Sequence, residues 1–328
     1  MRKTVWTLLF AVWAICAYAQ TEDTTVTTPT ASEDLLGELN DLSAPPPIDK
    51  KKIKVYNTFG GTHIINGQST ETISKKTMSF IISHRFGTVN SGWRDFFGLD
   101  YASMRMSFEY GILDNLTIGF GRSTFEKAYD GYVKYRFLDQ HEKGIPLTMA
   151  LYADVAINSQ KWSDPSRKNY FTSRMSYAFQ LMIARKFNDW FSFQITPTVT
   201  HYNLVKNNAD PNTVFSLGLG AKVKLTKRMS FLAEYYPRIK DNKQNGYKDA
   251  FAIGLDVVTG GHVFQFQITN AQAMYESGFI RRTTDNFWKG AIHIGFNISR
   301  TWGVGKQAKA ERKEKKAKKK ASKEVKQS

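Results

Sequence analysis

Long hydrophobic runs are absent from this sequence beyond its N-terminal segment. In the rest of the chain, no stretch approaches the roughly 18 consecutive apolar residues that a spanning helix needs. This absence excludes a helical membrane protein. Cysteine is nearly absent, because Cys16 is the only one in 328 residues. Aromatic residues, in contrast, make up 14% of the chain, and so many rings must be buried or face lipid. A disordered or collagen-like chain is therefore excluded.

The N-terminal segment has the pattern of a secretory signal peptide. Its first residues are basic, residues 5–15 are almost wholly apolar, and residues 17–19 read Ala-Tyr-Ala, a small-x-small cleavage pattern. We predict a signal peptide at 1–19 and a mature chain that starts near Gln20. Because cleavage removes Cys16, the mature chain can form no disulfide and no cysteine metal site. An uncleaved anchor is the alternative, but the apolar stretch is too short for one.

Charge is unevenly distributed in this chain, whose formal net charge is +17. Residues 20–52 form an acidic linker rich in Thr and Pro, with seven acids and no base up to position 49. Residues 306–328 form a Lys-rich tail of eleven basic and three acidic residues, too polar to pack in a core. A basic chain suggests nucleic acid, but export argues against DNA or RNA as a partner.

The region between these tails, residues 53–305, alternates apolar and polar residues with the period of a β-strand. In residues 191–199, Phe, Phe, Ile, Pro and Val oppose Ser, Gln, Thr and Thr. Most of the alternating segments approach the roughly 9–11 residues that a tilted strand needs to cross a bilayer. Pro197 lacks an N–H and predicts a bulge or a missing ladder bond. There are twelve segments, at 77–86, 102–111, 115–124, 128–138, 146–158, 172–187, 190–204, 213–225, 229–239, 249–258, 261–269 and 288–298.

The two faces of these segments indicate which side is buried. One face is rich in Phe, Leu, Ile and Val, and the other in Gly, Ser, Thr and Gln. Apolar side chains outward and polar ones inward are typical of an outer-membrane barrel. We therefore predict an all-β protein, a transmembrane antiparallel β-barrel of 12 strands with disordered N- and C-terminal tails in the periplasm. A soluble β-sandwich is the alternative, but it needs a polar outside and glycines in turns.

Connection lengths test the barrel independently, because such barrels have short periplasmic turns and longer external loops. Five of the six odd-numbered connections are long, including 87–101, 159–171 and 270–287. Four of the five even-numbered connections have three residues or fewer. This alternation predicts periplasmic termini for a protein of the Gram-negative outer membrane.

Four stretches carry a family resemblance that covers essentially residues 55–300. They read FGGTHIINGQS at 59–69, FIISHRFG at 80–87, DFFGLD at 95–100 and YGILDNLTIGFGRSTFEKAYDGYVKYR at 110–136. They resemble an uncharacterised family of outer-membrane β-barrel proteins common in Bacteroidota, a domain of unknown function. The resemblance implies the fold and the location, and it implies no activity.

No motif indicates an enzyme, a metal site or a cofactor, and we predict none of the three. The six histidines lack metal-ligand spacing, and HExxH and CxxC motifs are absent. A lipid hydrolase is a remote alternative, because outer-membrane phospholipases are twelve-stranded barrels. Such an enzyme needs a Ser and a His on the lipid-facing rim. His84 falls on that face, but no serine is evidently paired with it.

The candidate site is the set of ionisable residues that alternation turns toward the lumen. Charges this dense in a narrow barrel must pair or stay hydrated. Full pairing would close the barrel, whereas an unpaired excess of bases would attract anions. Gly220 should lie opposite Glu234, which puts Lys222 within reach of that carboxylate. The set contains six bases and four acids: Arg85, Arg105, Glu109, Lys134, Arg136, Asp154, Lys222, Lys224, Glu234 and Asp256.

The leading interpretation is a narrow channel or binding barrel for small solutes, with anions favoured. The alternative is a structural barrel that anchors its periplasmic tails to the cell wall or to a partner protein. Predicted partners are outer-membrane lipid, the barrel-assembly machinery and, through residues 306–328, peptidoglycan or anionic headgroups. Co-sedimentation with peptidoglycan, compared between the full chain and one lacking this tail, would test the last of these.

Overall fold

The computed structural model describes residues 53–162, 164–166, 168–205, 210–239 and 246–305. The signal peptide predicted at 1–19, the linker predicted at 20–52 and the tail predicted at 306–328 lie outside the described residues. None of the helices in the described part is long and apolar enough to cross a membrane.

The described residues form one antiparallel β-barrel. Pro237 separates β9 from the two-residue β10, so these two are one interrupted strand and the barrel has twelve. The strands are β1 Thr77–Thr88, β2 Ala102–Leu113, β3 Leu116–Ser123, β4 Tyr129–Leu138, β5 Thr148–Ile157, β6 Met175–Lys186, β7 Phe191–Tyr202, β8 Thr213–Lys224, β9 Met229–Tyr236, β10 Arg238–Ile239, β11 Ala250–Thr259, β12 His262–Thr269 and β13 His293–Gly303.

Each strand pairs with its neighbour in the chain, and the sheet closes between β1 and β13, where Ile82 lies opposite Ile298. The predicted fold class and all twelve predicted segments are confirmed. Only the last segment is clearly displaced, from the predicted 288–298 to His293–Gly303. The displacement arises because Asn286 caps a 3-10 turn at Phe287–Lys289 by accepting from the Trp288 N–H.

Burial in the barrel is inverted relative to a soluble protein. Along β7 the residues at alternate positions from Ser192 to Thr200 are buried, and all of them are Ser, Gln or Thr. The outward positions are apolar, and Phe179 and Phe215 on the two neighbouring strands are each 53% exposed. Exposed rings on a band around the barrel suit contact with hydrocarbon. The alternation of apolar and polar residues in the sequence therefore corresponds to the outer and inner faces of the sheet.

Pro197 produces a gap in the ladder and no bulge. Thr198 pairs with Gln180 and Ile195 pairs with Ile183, so the register is the same on both sides of the gap. The proline removes a ladder hydrogen bond because it has no N–H. The wall of the barrel continues through this position without changing which residues face inward.

The two ends of the barrel differ in the length of their connections. At the short-turn end the connections are 114–115, 139–147, 187–190, 225–228 and 260–261. At the long-loop end they are 89–101, 124–128, 158–174, 203–212, 240–249 and 270–292. In their described residues the long loops carry one α-helix, α1 Glu276–Arg281, and 3-10 turns at Val89–Ser91, Trp93–Gly98, Phe125–Lys127, Phe171–Arg174 and Phe287–Lys289.

Candidate functional site

A segment that precedes β1 occupies the lumen. It is fixed at the short-turn end by a bridge between Lys54 and His141 and by a 2.9 Å hydrogen bond from the Lys75 N–H to Asp114. Between these points, residues 59–70 fold back on themselves inside the barrel. The Ile64 N–H donates to the Gly67 carbonyl at 2.8 Å and closes a tight turn. We call residues 59–70 the plug hairpin.

Lys134 on β4 holds the base of the plug hairpin through the peptide backbone. Its Nζ donates to the carbonyls of Thr62, Ser69 and Glu71 at 2.9, 3.1 and 3.1 Å. Three acceptors match the three donors of an ammonium group. The side chain is completely buried, so these bonds replace the water that a buried charge would otherwise need.

Glu234 on β9 holds the tip of the plug hairpin in the complementary way. Its carboxylate accepts from the N–H groups of Ile65, Asn66 and Gly67 at 3.2, 2.8 and 3.2 Å. The turn therefore presents three consecutive donors to one anion. A buried base of the wall thus binds carbonyl groups of the hairpin, and a buried acid of the wall binds its N–H groups.

Neutral side chains of the wall complete this recognition. The Gln194 amide accepts from the Thr70 N–H at 3.1 Å and donates to the Gln68 carbonyl at 2.8 Å. Asn297 donates to the Ile65 carbonyl at 3.0 Å. Because backbone groups are bound from β4, β7, β9 and β13, the plug hairpin is anchored on all sides of the lumen.

The lumen also has a small apolar patch that receives the tip of the plug hairpin. Phe59, Ile64 and Ile65 are almost fully buried and pack against inward-facing Ala184, Leu232 and Ala252. Space for the tip comes from glycine in the wall, since a Cβ built at Gly220 would lie 2.3 Å from Ile64 Cδ1. The polar inward face is thus shaped to fit this particular segment.

A second insert closes the lumen from the long-loop end. Loop 270–292 folds inward, and all six residues of α1 are buried. Tyr152 donates to the Glu276 carboxylate at 2.7 Å, and Ser176 and Ser277 share a 2.9 Å hydrogen bond. We call residues 270–292 the inner loop. Burial raises the pKa of the Glu276 carboxyl above its usual value, while Tyr152 and Arg105 oppose that shift.

The two inserts meet at Tyr236 on β9. Its ring packs edge-on against Phe279 of the inner loop at 4.9 Å, and its hydroxyl lies against Gly67 of the plug hairpin. A Cβ at Gly67 would lie 1.9 Å from the Tyr236 Oη, so only glycine fits this contact. Asn66 of the plug hairpin also donates a 3.1 Å hydrogen bond to Thr269, the last residue of β12 before the inner loop begins.

The predicted inward residues fall into three groups. Five form hydrogen bonds to the plug hairpin or the residues beside it: Lys134 and Glu234 as described, Arg85 through Asn66 at 2.9 Å, Lys222 through the Asn57 carbonyl at 2.7 Å, and Glu109 through Thr62 at 2.9 and 3.0 Å. Gly220 does lie opposite Glu234 as expected. The expected contact between Lys222 and Glu234 is replaced by these bonds, because the two charges are bound by different parts of the segment that fills the lumen.

A second group makes contacts higher in the barrel. Arg105 forms a buried ion pair with Asp130 on the neighbouring wall. Glu109 bridges to this group, because besides Thr62 of the plug hairpin it accepts from Tyr132 on β4. Asp154 accepts from the Ala178 N–H at 2.6 Å.

The third group lies toward the short-turn end. Asp256 is buried beside Gly60, whereas Arg136 is half-buried and forms a 2.9 Å ion pair with Asp139. Lys224 is exposed at the end of β8.

Sequence reasoning missed Asp130, Tyr132 and Tyr152. Asp130 and Tyr132 are separated from Lys134 by an even number of positions, so strand alternation places all three on the inward face. This pattern could have identified them, but Asp130-Gly131 is also typical of a turn. Tyr152 was not predicted to face inward, because in an outer-membrane barrel aromatic residues are expected on the lipid-facing side. The tyrosines instead use their hydroxyls inside the barrel.

His63 lies in the plug hairpin between the wall charges. Burial, reinforced by the cations of Lys134, Arg105 and Arg85, holds its pKa well below the usual value of 6.5. The ring is 3.8 Å from Glu109, but that carboxylate already accepts from Thr62 and Tyr132. His63 is therefore neutral at neutral pH.

His84, the residue considered for lipid hydrolysis, stacks against Phe296 with 5.0 Å between the ring centres. Its Nδ1 has no hydrogen-bond partner among the described residues. His293 is engaged at both nitrogens, by the Phe86 carbonyl at 2.7 Å and Asp285 at 3.0 Å. Neither histidine is arranged as the base of a serine nucleophile. Within the described ranges, no group of three His, Cys, Asp or Glu residues could hold a metal ion.

A closed antiparallel barrel with an apolar outer band and a polar interior defines the class of outer-membrane β-barrels. The chain belongs to the family of membrane-bound beta barrel domains DUF5777, whose model matches residues 59–302. The matched region starts at Phe59, so it includes the plug hairpin. No curated protein matches the chain.

Several solved structures are similar in architecture. A NanC porin has 9% identity and a TM-score of 0.43, covering 70% of this chain and all of the porin. An active-site mutant of outer membrane phospholipase A from Escherichia coli has 12% identity and a TM-score of 0.41, covering 70% of this chain and 91% of that one. An outer membrane channel from Pseudomonas putida F1 has 11% identity and a TM-score of 0.39, covering 71% and 98%.

Proposed function

We propose that this protein is a plugged outer-membrane barrel that admits small solutes, preferably anions, when the plug hairpin withdraws. The observation that carries the proposal is the way the hairpin is held. Buried side chains such as Lys134, Glu234 and Gln194 bind its backbone, and each of these bonds can be exchanged for a bond to water. A net hydrogen bond contributes only about 0.5–1.5 kcal/mol, because water competes for the same groups.

The chemistry of the wall also supports passage of solutes. If the lumen were only a structural core, apolar side chains would fill it more stably than buried ions do. The wall instead keeps Arg85, Lys134 and Lys222 on its inner side. Once the hairpin leaves, these bases would lose the oxygen acceptors that it and the adjoining residues supply and would face water, where they would attract anions.

The proposal assigns the short-turn end to the periplasm, as the connection lengths of outer-membrane barrels require. The plug hairpin then withdraws toward the periplasm, where the linker at 20–52 leads into it. The mature protein should be recovered from the outer membrane with Gln20 at or near its N-terminus. Membrane fractionation with N-terminal sequencing checks this, and recovery in the soluble periplasm would contradict it.

A second candidate function is a closed anchor for the periplasmic tails. The observation that favours it is that the inward charges are largely engaged, as in the ion pair of Arg105 with Asp130 and the three bonds of Lys134. In this alternative the plug hairpin never leaves.

Planar-bilayer recording under a salt gradient separates the two candidates. The full chain should be mostly silent, and a variant lacking residues 57–72 should show discrete openings with an anion-selective reversal potential. The matched control is a variant with an equally long deletion in the Lys-rich tail, which should stay mostly silent. A silent bilayer with correctly folded deletion variant would reject the channel and favour the anchor.

A further inference from the structure

A cavity of about 430 Å³ lies at the long-loop end, separate from the plug hairpin. Its walls come from residues between 158 and 162, from Ser173 and Arg174, from the turn between β3 and β4, from Leu204 and Val205, and from the inner loop. Ser176 and Tyr202 form part of its floor. A volume of this size lies in the range of about 300–1,000 Å³ that small-molecule sites occupy. We call it the vestibule.

Aromatic rings in the vestibule are paired with guanidinium groups. Arg174 lies 3.9 Å from the centre of the Trp162 ring, and Arg282 lies 4.6 Å from that of Tyr202. The Arg174 Nη1 also donates to the carbonyls of Asn158 and Gln160. These bonds fix the guanidinium and the loop that carries the ring. A fixed ring beside a fixed cation can bind one face of a small cyclic molecule and its charged substituent.

The vestibule has more positive than negative charge. Lys161, Arg174 and Arg282 line it, and the only acid among its described lining residues is Glu126. That carboxylate is engaged within the site, because Tyr275 donates to it at 2.9 Å and Arg282 Nε is 3.5 Å away. Within the described chain, Lys161 and Arg174 have no carboxylate at ion-pair distance. The site can therefore accept an anion without displacing an acid of its own.

Backbone strain supports a built site. Glu126 and Lys127 have φ values of 51° and 47°, a left-handed conformation that residues other than glycine seldom adopt. Such strain persists where the surrounding structure imposes it. Here the strained turn places Glu126 against Tyr275 and Arg282 and so orients the vestibule wall.

We propose that the vestibule binds a small anionic sugar, one that carries a carboxylate or a phosphate group. Tyr202 is buried beneath Arg281 and Arg282, so the ring that suits the sugar face is the half-buried Trp162, on the side away from Arg174. Lys161 and Arg174 suit the anionic group. This inference deepens the proposed function by naming the class of solute that would be captured at the mouth, and binding can be measured without any passage through the lumen.

Titration calorimetry of the folded, detergent-solubilised full chain tests the site with glucuronate and glucose 6-phosphate, and with glucose as the neutral comparison. At least one anionic sugar should bind saturably and at least tenfold more tightly than glucose. Lys161→Gln and Arg174→Gln should each weaken that binding roughly tenfold, since each removes one charged donor to the anionic group. Lys161 is exposed, so its replacement tests the site even if Arg174→Gln disturbs the loop.

Lys168→Gln is the matched control, because Lys168 is an exposed base of the same loop that packs on Tyr170 outside the vestibule. It should leave binding unchanged. Equal binding of glucose, equal losses in Lys161→Gln and Lys168→Gln, or no saturable binding of either anionic sugar would each overturn the inference. Binding with a silent bilayer would reject the proposed channel alone, and openings without binding would reject the vestibule site alone.

Discussion

Glu234→Gln tests most sharply how the plug hairpin is held, because one carboxylate accepts three N–H groups of one turn. Glutamine has the same size, but it offers a single acceptor oxygen and adds two donors. At least one hairpin N–H then loses its partner and faces another donor. A buried group without a partner costs about 1–3 kcal/mol, and removal of the buried charge offsets part of that cost.

We therefore expect Glu234→Gln to weaken docking of the plug hairpin by about 2 kcal/mol, which raises the undocked population roughly 30-fold at 1.36 kcal/mol per factor of ten. Ser69→Cys provides the reporter, since Ser69 is completely buried in the hairpin. The mature chain that we predict has no other thiol. The rate of maleimide labelling then follows the undocked population, as long as docking is faster than labelling.

Glu142→Gln is the matched control, because Glu142 is an exposed carboxylate at the short-turn end. It should label at the rate of the parent protein, while Glu234→Gln labels roughly 30-fold faster. Heat-dependent migration in gels verifies that each barrel is folded. Equal rates in the two folded variants would refute the role of Glu234, and parent labelling at the rate of a free thiol would refute docking itself.

Four further perturbations have defined outcomes. Gly67→Ala should speed Ser69→Cys labelling at least tenfold, since its Cβ would lie 1.9 Å from Tyr236 Oη, whereas Gly61→Ala has open space and should have no effect. The pKa of His63 is lower in the docked hairpin than its usual 6.5, so the undocked state binds more protons below that pH. Bilayer openings should therefore be more frequent at pH 5 than at pH 7.5, and His63→Gln should remove the difference. A tag inserted within 159–171 should be labelled on intact cells and one at 226–228 should not; the reverse would refute the assigned orientation. In the variant lacking residues 57–72, Lys222→Glu with Lys224→Glu should shift the reversal potential toward cations, and an unchanged potential would exclude these lysines from the pore.

The wall of the barrel could be predicted from the sequence because one periodicity encodes it. Along β7, Ser, Gln and Thr alternate with Phe, Ile and Val. Because the outer face contacts lipid and the inner face makes polar contacts, the type of each residue indicates which face it belongs to. The end of the last strand could not be predicted in this way. Its register depends on pairing with β1, where Thr77 lies opposite Gly303, a contact between distant parts of the chain.

The filling of the lumen was not predictable from the same signals. Lys134 and Glu234 bind backbone atoms of the hairpin. Because nearly every residue has the same backbone groups, such contacts leave no pattern in the sequence. The sequence around residues 60–67 therefore reads as ordinary turn glycines. Two hints were present in retrospect: Ile64 and Ile65 form an apolar pair outside any strand, and Leu232 is an apolar residue on an inward face.

The plug hairpin has a consequence for the order of assembly. It precedes β1 by a few residues, and its partners are spread from Lys134 on β4 to Asn297 on β13, which is 232 residues further along the chain than Ile65. Contacts so distant in sequence form late, after the intervening chain has been ordered. Since β13 also closes the barrel against β1, the hairpin reaches its full set of partners only in a barrel whose seam is shut. An incompletely closed barrel would leave the hairpin unseated and exposed to proteolysis, so the occupied lumen marks a finished molecule.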